Sequence, residues 1–240
     1  MPIAREGWRE LLIGTVVLGG LAVLVGLWAR PLAIPFVLLW MWVVWFFRDP
    51  RRVRDYAPGD LCAPADGTVT EITELERYEP IAGPAVRIGV FMSIFSVHVN
   101  RSPCAGRVRS VAYRPGRFLD ARHPDSGELN ESGTIVLDTS GHVPGPVVVR
   151  QVAGLIARRI VCHAAVGDEW AIGQRFGMIK FGSRTELIIP RLPDTEVCVA
   201  IGDAVRGGLT ILARQPVRSS AEANDGPHRE IRRPEEAATA

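Results

Sequence analysis

Two unbroken apolar runs open the chain: Leu11 to Ala29, and then, after the single Arg30, Pro31 to Phe47. As helices they would reach about 28 and about 26 Å, close to the thickness of a hydrocarbon core. Trp8, Trp28, Trp40, Trp42 and Trp45 fall within or beside these runs, as in an interfacial aromatic belt. Arg5 and Arg9 precede the pair, and Arg48, Arg51, Arg52 and Arg54 follow it. The positive-inside rule puts both ends in the cytoplasm, with Arg30-Pro31 as the outer turn. Residues 1–50 are therefore expected to form a helical hairpin in the cell membrane, spanning it or dipping into one leaflet. The second run argues against a cleaved signal peptide.

From Asp60 onward the pattern changes to short Val-, Ile- and Thr-rich segments separated by Gly, Pro and Asp. Examples are GTVTEIT, AVRIGVFMS, GRVRSVAYR, GTIVLDT, GPVVVRQVA and ELIIP. Such spacing, without a long 3.6-residue period, predicts a mainly β domain over 51–216, a β-sandwich or barrel. Val166 to Gly173 echoes Ile201 to Gly208, each with an aliphatic-Gly-Asp start and a closing Gly. Such Gly-Asp turns recur in lipoyl- and biotinyl-carrier folds. Residues 217–240 are polar and nearly free of large apolar groups, which predicts a disordered tail.

Composition narrows the chemistry. The 28 basic and 26 acidic residues leave a net charge of +2, too small to suggest a nucleic-acid binder. Cys62, Cys104, Cys162 and Cys198 stand far apart without metal or disulfide spacing, which fits a domain facing the cytoplasm. No His/Asp/Glu spacing suggests a metal site. Lys180 is the single lysine, so lysine-dependent chemistry has one candidate.

Three segments carry residue types suited to catalysis. PADGT places Asp66 in an Asp-Gly turn, FMSIFSVHVNRSP places His98 among strand-like residues, and MIKFGSRTELIIP places Gly182-Ser183 between apolar stretches. Each alone suits an ordinary turn, core or loop residue. Together they hold the types that orient a base, move a proton and supply an oxygen nucleophile. No G-x-S-x-G surrounds Ser183, so an α/β-hydrolase elbow is absent.

With PADGTV (64–69), FMSIFSVHVNRSP (91–103), FLDARHPDSGELNES (118–132), GLIARRIV (154–161) and FGSR (181–184) in this order, the chain resembles the phosphatidylserine decarboxylase proenzymes, in particular their short, archaeal-type branch. The apolar hairpin followed by FRDP (47–50) also looks like that branch. The resemblance implies self-cleavage at Gly182-Ser183 into a β chain, 1–182, and an α chain from 183, which stay associated as a heterodimer. It implies that Ser183 becomes a covalent pyruvoyl group, the pyruvate cofactor, which forms a Schiff base with phosphatidylserine in the membrane and yields phosphatidylethanolamine. Such a carbonyl provides the electron sink that unmodified side chains lack.

Residue by residue, Gly182 and Ser183 match the family's cleavage site, and Asp66 matches the aspartate paired with histidine in self-cleavage. His98 matches the first histidine of an H-x-x-H found in longer relatives, where Arg101 here replaces the second. The resemblance leaves His98 to serve self-cleavage, decarboxylation or both, with Arg101 a possible oxyanion or carboxylate contact. Asn130-Glu131 matches a family Asn-Glu pair with a possible pocket role; His123, His142 and His163 match nothing. Two other readings stand beside it: a Ser-His-Asp hydrolase on a β scaffold, and a non-enzymatic carrier or scaffold displayed at the membrane. An ether lipid in place of the acyl lipid would leave the reacting headgroup unchanged.

Overall fold

The computed structural model describes residues 2–123, 125–139, 143–155, 159–180 and 182–217. His142, Phe181 and all but the first residue of the expected polar tail lie outside them.

The hairpin consists of α1 (Trp8–Gly26) and α2 (Ile34–Phe46), joined through a 3₁₀ turn at Arg30–Ala33. Pro31 and Pro35 sit in first turns, where their missing N–H costs no helical hydrogen bond. Between the helices, the Trp40 indole donates to the Thr15 hydroxyl at 3.0 Å, which itself donates to the Leu11 carbonyl at 2.7 Å. Leu12, Val16, Val23 and Leu24 turn outward and are mostly exposed. Arg5–Gly26 is long and apolar enough to cross a membrane. At 13 residues, about 20 Å, α2 is shorter than its apolar run predicts. One end of that run is spent in the 3₁₀ turn. At the other, Phe46 and Phe47 are buried against Val97, Val99 and Met178 of the β domain.

That domain is mainly β. Its strands are β1 (Asp60–Cys62), β2 (Gly67–Tyr78), β3 (Gly83–Met92), β4 (Val99–Arg101), β5 (Gly106–Arg114), β6 (Ser132–Thr139) and β7 (Pro146–Val152). They continue as β8 (Ile160–Cys162), β9 (Glu169–Trp170), β10 (Arg175–Ile179), β11 (Ser183–Pro190), β12 (Glu196–Val197), β13 (Ala204–Val205) and β14 (Ile211–Arg214). A curled eight-stranded antiparallel sheet runs β13-β2-β3-β11-β7-β6-β5-β9, flanked by β1-β14-β12 and β4-β10-β8. The main core gathers Leu61, Val69, Ile88, Ile135, Val149, Leu187 and Leu212.

The Gly-Asp echo is structural. Gly167 and Gly202 both take positive φ (97° and 99°), as do Gly173 and Gly208 (76° and 72°). In one copy the Asp168 carboxylate accepts from Ala165 N–H; in the other Asp203 accepts from Ala200 N–H, both at 2.9 Å. The turns lead into β9 and β13, which close opposite edges of the large sheet. Near its middle lies β11, paired with β3 on one side and β7 on the other, with all eight residues buried. The chain reaches it from the small sheet, crossing from β10 through Lys180 to Gly182.

Candidate active site

Gly182 makes that crossing with φ 59°, a left-handed conformation that favours glycine. Space is not the constraint, since a β-carbon there would meet nothing. The constraint on the carbonyl comes from Gly154, just beyond β7. Any β-carbon at 154 would collide with the Gly182 carbonyl oxygen. Two glycines thus let one peptide carbonyl lie directly against a neighbouring backbone.

Ser183 follows as the first residue of β11, opposite Met92 of β3. Its side chain is fully buried, and its Oγ has no hydrogen-bond partner among the described residues. An orphaned buried hydroxyl is uncommon and calls for a reason. On the other face of β11, Arg184 is fixed by ion pairs to Glu71 and Glu186, and Glu186 also faces Arg150 at 3.4 Å. Glycine at 89 leaves room for that guanidinium. Burial alone would raise the Glu71 pKa, but the Arg184 hydrogen bond and charge, with Thr73 and Arg87, outweigh it and hold the carboxyl below its ordinary value.

His98 sits just before β4, and its carbonyl accepts from Ile179 N–H at 3.4 Å, at the end of β10. Asn100, two residues on and within β4, contacts the Met92 sulfur at 3.9 Å and accepts from Gln151 at 2.8 Å. The histidine's ring is buried, and its neighbour Asn100 touches Met92, the residue opposite Ser183. Its Nδ1 lies 3.0 Å from the Ser96 carbonyl oxygen. A carbonyl only accepts, so Nδ1 carries the proton and Nε2 keeps a lone pair. Nε2 is buried and unpartnered among the described residues. Burial pushes the imidazole pKa down to about 4, against the opposing Ser96 carbonyl and with Arg48 acting alongside.

Asp66 is engaged elsewhere. Its carboxylate takes a two-pronged contact from Arg52, one arm at 2.7 Å, and accepts from Gly207 N–H at 2.8 Å. Its effect on His98 is a through-space charge that raises the histidine pKa. Arg101 donates to Asp49 (2.8 Å), Pro50 O (3.2 Å) and Gly173 O (3.1 Å), which ties the FRDP segment to the β domain. Asn130 is a bracket: its amide accepts from Leu119 N–H and donates to Leu119 O and Ala153 O, all within 2.9 Å. The Glu131 carbonyl accepts from Ala153 N–H at 2.9 Å. Both residues therefore steady the backbone leading to Gly154.

Lys180, the one lysine, is buried and committed: its amine donates to Glu6 O at 2.8 Å and pairs with Glu10 at 2.6 Å. It presents no free amine for a carbonyl cofactor or a carrier attachment. A cavity of about 420 Å³ opens beside Gly182, walled by Phe91, Ile94 and Leu155 with Asp120 and Arg122 also lining it. Hydrogen bonds from Arg122 hold the Asp120 pKa down to about 2. The four cysteines are free, and Cys62 and Cys104 are buried.

Gly154, Arg52 and Phe46, whose ring meets that of His98, have no motif of their own to single them out by. Gly154 stands at the head of GLIARRIV, but nothing in its spacing points to position 182.

Comparison with known proteins matches residues 39–213 to the family model described as phosphatidylserine decarboxylase. Proteins named phosphatidylserine decarboxylase proenzyme are similar over most of the chain. That of Rhodopirellula baltica is 47% identical over 215 residues, covering 89% of this chain and 88% of the relative. That of Symbiobacterium thermophilum is 44% identical over 214 residues, covering 89% and 96%. That of Polynucleobacter asymbioticus is 41% identical over 221 residues, covering 89% and 95%.

Proposed function

This chain belongs to the phosphatidylserine decarboxylase family, and we propose that it converts phosphatidylserine to phosphatidylethanolamine and CO₂ using a carbonyl made from its own Ser183. The observation that carries the reading is the pairing of a buried Ser183 hydroxyl, unpartnered among the described residues, with a Gly182 carbonyl held against Gly154.

The Ser183 hydroxyl attacks the Gly182 carbonyl carbon, and the acyl group moves from nitrogen to oxygen. His98 Nε2, neutral and with its lone pair free, is the base that takes the hydroxyl proton. Asp66 favours that step through its charge on His98, without contact. Loss of the α-proton of residue 183 then breaks the ester, leaving Gly182 as a new carboxylate. The residue left at position 183 takes up water and releases ammonia, leaving a pyruvoyl group. A buried serine that opens an interior strand fits such a group, since little is displaced by converting it. When present, that pyruvoyl carbonyl takes the substrate amine and accepts the electrons freed with CO₂.

The products of cleavage stay together because β11 remains clamped between β3 and β7 along its length. The cavity beside Gly182 supplies an apolar wall for the lipid's glycerol end and Arg122 for its phosphate. The outward-facing apolar side chains of the hairpin sit in the bilayer, which brings the domain to the headgroups. The arginines flanking the hairpin support a cytoplasmic position for the domain.

The experiment is intact-mass analysis of purified wild type and Ser183→Ala beside CO₂ release from phosphatidylserine in mixed micelles. Wild type yields two chains, the α chain lighter by one ammonia than a serine-started chain; the variant stays single and inactive. An uncut wild type that still releases CO₂ overturns the reading.

A further inference from the structure

A second cleft, of about 590 Å³, lies where the start of the hairpin meets the β domain. It shares no lining residue with the cavity beside Gly182. Most of its acidic oxygens already have partners: Glu6 contacts the His163 imidazole at 2.9 Å, one Glu10 oxygen pairs with Lys180 at 2.6 Å while the other has no hydrogen-bond partner among the described residues, and Asp49 pairs with Arg101 and Arg175 at 2.8 Å each. Two of its remaining cations, Arg5 and Arg9, line the cleft without an ion-pair partner among the described residues, and Arg159 meets Glu10 only as a through-space charge that lowers the Glu10 pKa.

Two of these stand at the positive end of the α1 macrodipole, where cations are disfavoured unless an anion lies among them. Trp8, largely exposed between them, marks the level of the membrane interface. Arg159 comes from the β domain, so an anion in the cleft would bridge the hairpin and the domain.

We propose that this cleft binds the phosphate of an anionic phospholipid headgroup, a lipid separate from the one that reacts at Ser183. The site uses Arg5 and Arg9 from the hairpin and Arg159 from the β domain, and it staples the two at the membrane surface. Lys180 forms part of its wall three residues before Ser183, so the staple steadies the strand that carries the reacting residue. The inference rests on the membrane anchoring proposed above but not on self-cleavage.

The test therefore uses the full chain as Ser183→Ala, in neutral detergent, titrated with phosphatidylglycerol and, separately, with inorganic phosphate. Bound lipid is counted by native mass spectrometry, and stabilisation is read as a shift in Tm. Replacing Arg5, Arg9 and Arg159 together by Gln is expected to weaken phosphatidylglycerol binding roughly 100-fold. A charge-matched control with Arg77, Arg107 and Arg206 changed to Gln keeps wild-type affinity. Should the triple variant not fold, Arg159→Gln alone is expected to lose roughly fivefold. Equal lipid affinity in the cleft variant and its control overturns the proposal, and equal stabilisation by inorganic phosphate overturns the lipid assignment. Release of wild type from membranes by alkaline carbonate would remove the anchor, and this lipid site with it, while leaving cleavage at Ser183 untouched.

Discussion

The imidazole of His98 lies against the phenyl ring of Phe46, their centroids 4.3 Å apart and their planes at 36°. The last residue of the hairpin's second helix thus walls off the side chain proposed as the base. An apolar partner on one face keeps the ring dry and neutral, while the backbone carbonyl on Nδ1, which by itself favours the proton, fixes the tautomer. The hairpin and the proposed base are therefore in direct contact.

Phe46→Ala should let water reach His98 and raise its pKa from about 4 toward the ordinary histidine value of 6.5. A base must be unprotonated to act, so the acid limb of self-cleavage should move to higher pH. The fraction of precursor cut against pH, in detergent-solubilised protein, checks the shift. An unmoved limb would mean that His98 is not the base.

The same depressed pKa links stability to acidity. Between about 4 and 6.5 the unfolded chain holds a proton on His98 that the folded chain does not, so stability rises with pH across that window. It is fully present above 6.5 and lost as pH falls through about 4. The contribution is on the order of 3 kcal/mol at most. Denaturant unfolding of Ser183→Ala with and without His98→Gln should show a shallower acid loss in the double variant.

Gly154→Ala should block self-cleavage while leaving a folded β domain, because its methyl would displace the Gly182 carbonyl proposed as the target of Ser183. A drop of at least about 100-fold in processing rate is expected, since small misplacements of reacting atoms cost that much. Electrophoresis after a timed chase measures it, and circular dichroism reports whether the sheet is intact.

Lys180→Met removes the tie between the segment leading to Ser183 and the hairpin and leaves Glu10 facing the cleft without its ion-pair partner. With Glu10 partly open to solvent, the expected loss is about 1–3 kcal/mol rather than the larger cost of a fully buried pair. Lys180→Arg should recover most of it. Thermal unfolding in detergent separates the two variants, and processing should slow in the first only.

What could be read along the chain was what is encoded locally. Apolar length announced the hairpin, alternation announced the β domain, and the Gly-Asp echo marked two turns whose hydrogen bonds match because each closes within a few residues. Gly182-Ser183 also stood out, through its resemblance to a family's cleavage site. Only the tertiary structure placed Gly154 on the Gly182 carbonyl, bound Asp66 to Arg52 and Gly207, and drew Phe46 out of the apolar run onto His98. Strands as short as β4 and β8 likewise exist through pairing with β10 rather than through their own propensity. Local periodicity and turn chemistry act over a handful of residues and leave their mark in order. Contacts between residues tens of positions apart depend on which strands lie side by side, and that is decided only when the sheet closes around its core.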